Sequence, residues 1–200
     1  MNYLAHAYLS FNHSDILVGN LISDFVKGKK KFDYPLGIQN GIDLHRSIDS
    51  FTDSHSATKD AKEVFRPHYR LYAGAFIDVV YDHFLANDKN EFSETLLFSF
   101  SQSVYVTLEE SKQWFPERFE KMFHYMKMQN WLFHYRMIEG TEKSFGGLVR
   151  RSVYLKESET ACRLFEEYYQ LLQHCYRLFW ADVKSFAQAQ LQQLIASNNM

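Results

Sequence analysis

The chain has 200 residues, of which 46% are hydrophobic and 17% aromatic, with only 3 Pro and 8 Gly. This composition excludes a disordered chain and a turn-rich β-sandwich, and it favours long helices. A net charge of −2 excludes an overall field that draws nucleic acid, so any basic docking surface has to be local.

In chain order, residues 3–11 form a short apolar segment, ended by the polar "NHSD", where Ser14 or Asp15 can cap the next helix. "ILVGNLISDFVKG" puts Leu17, Leu21 and Phe25 on one stripe and offers Gly28 as a stop. "KKKFDYPLGIQN" reads as a basic loop, and Pro35 suits the first turn of a helix running to Ser54. "SATKDAKEVFRPHYR" is amphipathic, with Pro67 expected to break or kink it. Residues 71–86 are apolar nearly all round, which marks a central helix. Residues 91–110, 115–135, 141–153 and 157–197 read as further helices. No repeat, low-complexity tract or linker interrupts them, so the expectation is one all-α domain over 1–200, a helical bundle.

The N-terminal segment lacks the basic start and small-residue cleavage site of a signal peptide. No apolar run approaches the ~18 residues of a membrane span. Cys162 and Cys175 fall in one apparently helical segment, where thirteen residues separate them by about 20 Å, beyond disulfide reach. Together these features point to a cytoplasmic protein with reduced thiols and no membrane partner.

Chemistry concentrates in the first half. His6 stands in the first segment. Asn20 and Asp24 are four apart in the second. His45, Asp49 and Asp53 follow one stripe of the third, and Asp78 and Asp82 share a face of the central helix. His83 is rotated about 140° from Asp78 at 100° per residue, so the two need not face one ion. Stacked carboxylates in apolar surroundings repel unless a cation compensates. Imidazole and carboxylate donors at these spacings suit Mn, Fe, Zn or Mg between facing helices. Taken singly, each histidine is more often a satisfied core or surface residue; three i,i+4 pairs in apolar helices are what point to a metal.

The blocks "MNYLAHAYLS", "GNLISDFVKG", "GIDLHRSIDSFTDSH" and "DVVYDHFLA" resemble, in order and spacing, the signature blocks of the acyl carrier protein phosphodiesterase family. A weaker likeness continues through "WLFHYR" into the C-terminal helices. The resemblance implies a variant of the HD-domain fold and a divalent metal, commonly Mn2+, with Mg2+ or Fe2+ as alternatives. It also implies removal of 4′-phosphopantetheine from the serine of holo acyl carrier protein, giving the apo form. Carried over residue by residue, it places Asp24, His45, Asp78 and Asp82 as inner ligands. His6 and Asp49 become further ligands or the groups that orient them. Asp24, Arg46 and His83 are the catalytic candidates, the last two for the phosphoryl charge or the leaving serine oxygen. The sequence departs from the ordinary His-Asp order, since Asp82 precedes His83, and which of the two faces the metal stays open.

Acyl carrier proteins are acidic, so a local basic surface is expected. Lys27, Lys29, Lys30 and Lys31 follow Asp24 directly, and Arg66 and Arg70 precede the central helix; a solvated loop is the plainer reading of the lysines. The rival functions are phosphohydrolysis of a nucleotide or other small phosphoester, and non-catalytic binding of carrier proteins. Trp114, Trp131 and Trp180 read as scaffold, "YYQLLQHCYRLFW" as a buried or dimer-facing surface, and Arg150–Arg151 as a pair with no assigned task.

Overall fold

A computed structural model describes residues 1–197, and among these there are eleven α-helices and no strand. They are α1 (Tyr3–Tyr8), α2 (Ser14–Ile22), α3 (Leu36–Ser54), α4 (Ser56–Tyr69), α5 (Ala73–Ala86), α6 (Glu94–Glu110), α7 (Glu117–Met128), α8 (Trp131–His134), α9 (Ile138–Arg151), α10 (Glu159–Glu167) and α11 (Tyr169–Ser197). The all-α expectation holds. The last three residues of the expected 1–200 unit lie outside the described residues.

Helix α5 is central because nearly every side chain on it is apolar: Phe76, Ile77, Val80, Tyr81 and Leu85 are all fully buried. It packs against α1, α4, α9 and α11. Its aromatic face stacks Phe76 on Phe65 with ring centroids 5.6 Å apart, and Tyr81 on Phe179 at 4.9 Å. Such pairs add about 0.5–1.5 kcal/mol each beyond the area they bury.

Helices α2 and α3 cross with their backbones in contact. A Cβ on Gly19 would lie 2.1 Å from the Ile38 carbonyl oxygen, and one on Gly41 would lie 2.4 Å from that of Ile16. No side chain fits between the two helices at that crossing, which fixes α2 against α3 just before the residues that carry chemistry.

Several boundaries differ from the sequence expectation for local reasons. The stretch 115–135 is broken at Asn130, which takes the left-handed conformation (φ 47) that asparagine tolerates and that ends α7. The stretch 157–197 breaks at Tyr168, so Cys162 and Cys175 sit on different helices, both as free thiols. Pro67 lies inside α4, which runs on to Tyr69 before Arg70 (φ 49) turns the chain. The basic loop is wound into a 3-10 turn over Gly28–Asp33, and α2 stops at Ile22, well before Gly28. Among the described residues no helix is long and apolar enough to cross a membrane.

Candidate metal centre

Two imidazoles and a carboxylate converge between α1 and α3. His6 and His45 stack with ring centroids 4.0 Å apart and planes 16° from parallel. Asp49, one turn beyond His45 on the same face of α3, spans both rings. Its Oδ1 lies 3.2 Å from His6 Nε2 and its Oδ2 lies 3.1 Å from His45 Nε2. One donor atom from each of these three residues falls within 4.8 Å of the others. Asp24 reaches in from the 3-10 turn after α2, with Oδ1 3.3 Å from His45 Nε2.

Asn20 fixes the imidazoles. It is fully buried; its side-chain amide donates to the His6 carbonyl (2.9 Å) and to Ser10 Oγ (3.1 Å). Its own carbonyl lies 2.8 Å from His45 Nδ1. A carbonyl can only accept, so Nδ1 carries the proton, and in the neutral ring Nε2 presents its lone pair toward Asp24 and Asp49. His6 Nδ1 is buried with no hydrogen-bond partner, which is costly unless something else binds there, and His45 Nε2 faces only the carboxylates of Asp24 and Asp49.

The charges around the cluster are strongly coupled. Burial, then the neighbouring His45, lower His6 to about 4, so its ring is neutral at pH 7. Burial also opposes charge on His45, but hydrogen bonding and attraction from Asp24 and Asp49 outweigh it and raise that ring to about 9. Asp49 is pulled well below the carboxylate range: burial is overcome by the Met1 ammonium and by His6 and His45. Burial pushes Asp78 up. The Met1 ammonium itself sits 3.0 Å from Asp49 Oδ1 and 3.2 Å from Asp78 Oδ1.

These observations fit a divalent cation. The donors are two imidazoles and carboxylates, and the buried His6 Nδ1 lacks a partner. The Asp49–Asp78 pair already accepts a positive charge. The proton that the carboxylates favour on His45 Nε2 is the one a metal replaces on binding. The carboxylate side is open, since the Asp24 side chain is 68% exposed.

The structure brings together His6, Asp24, His45 and Asp49, with Asp78 joined to them through the Met1 ammonium. It gives Asp82 a different task. This fully buried carboxylate accepts the Leu4 N–H at 2.8 Å and the Ala5 N–H at 3.0 Å, capping the free start of α1 instead of turning to the cluster. His83 points elsewhere too. Its Nδ1 meets the Tyr135 carbonyl at 2.8 Å and its Nε2 meets the Tyr169 hydroxyl at 3.0 Å, so it ties α5 to α11 and to the loop before α9. Arg46 is exposed and donates to the Val26 carbonyl at 3.1 Å, clipping the turn that carries Asp24. Asp53 pairs with Lys62.

Among the basic candidates, Lys27, Lys29 and Lys30 are exposed, whereas Lys31 is held 2.8 Å from Asp43. Arg66 is paired with Glu63 on its own helix, and Arg70 is exposed at the turn into α5. Sequence reasoning did not identify the anchoring carbonyl of Asn20 or the Met1 ammonium. A backbone carbonyl and a terminal amine carry no residue-type signal, although Asn20 was visible as a partner of Asp24.

A family model described as acyl carrier protein phosphodiesterase matches residues 1–183. Similar proteins named acyl carrier protein phosphodiesterase include one from Klebsiella pneumoniae, 32% identical over 193 residues, covering 94% of this chain and 98% of that protein. One from Enterobacter is 32% identical over 200 residues, 97% of this chain and all of the other. One from Photorhabdus laumondii is 30% identical over 170 residues, 84% of this chain and 86% of that protein. No solved structure matches the chain.

Proposed function

Because the chain belongs to the acyl carrier protein phosphodiesterase family, we propose that it hydrolyses the phosphodiester linking 4′-phosphopantetheine to the serine of holo acyl carrier protein. The observation that carries the reading is the convergence of donor atoms of His6, His45 and Asp49 within 4.8 Å of one another, with Asp24 3.3 Å from His45 Nε2. His6, His45 and Asp49 would hold a divalent ion, with Asp24 and Asp78 as the carboxylates around it. We take the ion to be manganese, since mixed imidazole and carboxylate donors suit it, and the same donors accept magnesium or iron(II). When bound, such an ion supplies positive charge at the phosphoryl oxygen and acidifies its water.

The chain's own groups do the rest. The Asn20 carbonyl keeps the proton on His45 Nδ1 and so aims Nε2 at the site. Asp24, ionised and open to solvent, takes the proton of the attacking water at Oδ1 and returns it to the serine oxygen as the P–O bond breaks. Arg46 acts through Asp24: its hold on the Val26 carbonyl positions the turn, which makes it a positioning residue. Lys27, Lys29 and Lys30, exposed directly after Asp24, meet the acidic carrier.

The test is mass spectrometry of holo acyl carrier protein incubated with the protein and manganese, beside Asp24→Ala and Asp49→Ala. Loss of the phosphopantetheine mass with the wild type alone supports the reading. Unchanged carrier in the presence of bound metal points to a small phosphoester as substrate, and equal turnover by the variants removes those carboxylates from the site.

A further inference from the structure

A groove of about 550 Å³ opens where the N-terminal segment and α5 meet α8 and α9, within the ~300–1,000 Å³ range of small-molecule sites. Its near wall is Asn2 and Tyr3 of the N-terminal segment together with Val79. Those residues adjoin the site in sequence: Tyr3 precedes His6 by one helical turn, and Val79 follows Asp78. The floor is one face of α9, lined by Gly140, Ser144 and Gly147. Trp131 of α8 closes the far side.

Tyr3 of the groove wall feels charges from both sides. Burial pushes its phenol up, the Asp24 carboxylate adds to that, and Arg151 opposes it, so the phenol stands between a site residue and a groove residue. Three cations line the α9 side, Lys143, Arg150 and Arg151, against the single acid Glu139, and among the described residues none of the three has a carboxylate within ion-pair distance. Arg66 of α4 and Lys121 of α7, by contrast, are each paired with a glutamate of their own helix.

We propose that this groove seats the pantetheine arm of the holo carrier, with its phosphate end at Tyr3 and Arg151 and its thiol end toward Trp131. The inference rests on the carrier reading above and extends it to residues outside the cluster. The arm is a slender chain of methylene and dimethyl carbons interrupted by two amides. It needs apolar wall and amide partners in alternation, which Val79 and Trp131, and Asn2 and Gln129, supply. Arg151, unpaired at the phosphate end, with Lys143 and Arg150 along the same wall, matches a chain that enters from an anionic phosphodiester on an acidic protein. Residues that composition marks as scaffold (Trp131) or as idle surface (Arg150 and Arg151) thereby gain a use.

The experiment is calorimetric titration of holo and apo carrier into the full chain without added divalent metal, so that the carrier is not consumed. Ser144→Phe fills the groove from the floor, and Trp131→Ala removes its far wall; thermal unfolding checks that both variants fold. The expected result is that the wild type binds holo carrier more tightly than apo. Each variant loses about tenfold in holo affinity while apo affinity stays within about twofold. A holo preference that survives both variants overturns the proposal. So does an equal loss for holo and apo carrier, which would put the carrier polypeptide in the groove, and so does a wild type with no holo preference. A groove-dependent holo preference without hydrolysis in manganese would sustain the groove and remove the phosphodiesterase reading instead.

Discussion

Asp82→Asn isolates a fully buried carboxyl whose charge opposes folding. Burial drives this carboxyl up from its ordinary 3.8 to about 7, against the opposing pull of the Leu4 and Ala5 N–H groups and the Met1 ammonium. Between those two values the folded chain keeps a proton that the unfolded chain has released. Stability therefore falls as pH rises through that window, and the cost is complete above about 7. At about 1.36 kcal/mol per pH unit, the window corresponds to on the order of 4 kcal/mol. Asparagine cannot ionise, but it offers one acceptor where aspartate offers two, leaving one buried N–H unsatisfied at about 1–3 kcal/mol. The variant should then be less stable than wild type at pH 4 and should gain on it steadily to pH 8. The assay is urea unfolding of both proteins across that range in chelator, comparing extrapolated free energies and checking that m is unchanged. Parallel curves, with a constant gap from pH 4 to pH 8, would refute the assignment of a buried, proton-holding cap.

The remaining expectations concern the frame, the reassigned histidine and the surface. Gly41→Ala drives a methyl into the Ile16 carbonyl and Gly19. It should cost about 1–3 kcal/mol, toward the upper end because backbone has to move, and a denaturation midpoint within error of wild type would mean that α2 and α3 are not in contact there. His83→Ala should lower stability by about 1–3 kcal/mol, since the Tyr135 carbonyl and Tyr169 hydroxyl lose their partner. Its kcat on holo carrier should change little; a kcat collapse in a variant of normal stability would return His83 to catalysis. Lys29→Glu combined with Lys30→Glu should raise KM for carrier several-fold at low salt, and the difference should vanish near 1 M, where the Debye length is about 3 Å. A KM unmoved at low salt would free those lysines of any docking role.

How much of this was legible in the chain depended on whether a residue's partner is near it in sequence. The helices were readable because their signals are local: apolar periodicity, Pro35 at a start, the polar "NDKN" after the central helix. Asn130 and Tyr168 escaped because a single residue leaving helical geometry alters no pattern around it. In the site, His45 and Asp49 were readable as an i,i+4 pair on one face, and their contact is an intrahelical one. Asp78 and Asp82 carry the same spacing, yet only Asp78 turns toward the cluster. The difference lies in α1, whose first N–H groups arrive over Asp82 from 78 residues away. Spacing says which residues share a face. It does not say what lies opposite.

That contact also explains why position 82 carries a carboxylate at all. Helix α1 has six residues, too few to hold together in water alone, and it has no side-chain cap of its own. Yet it delivers His6 to the candidate metal cluster from one end and Tyr3 to the groove from the other. It is pinned at its start by Asp82 and past His6 by Asn20 and Ser10, whose groups converge on the His6 carbonyl. Each of the two successive N–H groups meets a different oxygen of the carboxylate, so an amide at 82 would turn its NH2 toward one of them. A buried Asp82 thus gives up stability at neutral pH to fix a short helix in register. The loss is tolerable because most of the rest of α5 is apolar and buried. The carboxylate pair first legible as a metal motif serves two ends: Asp78 faces the cluster's charge, and Asp82 holds the helix that brings an imidazole to it.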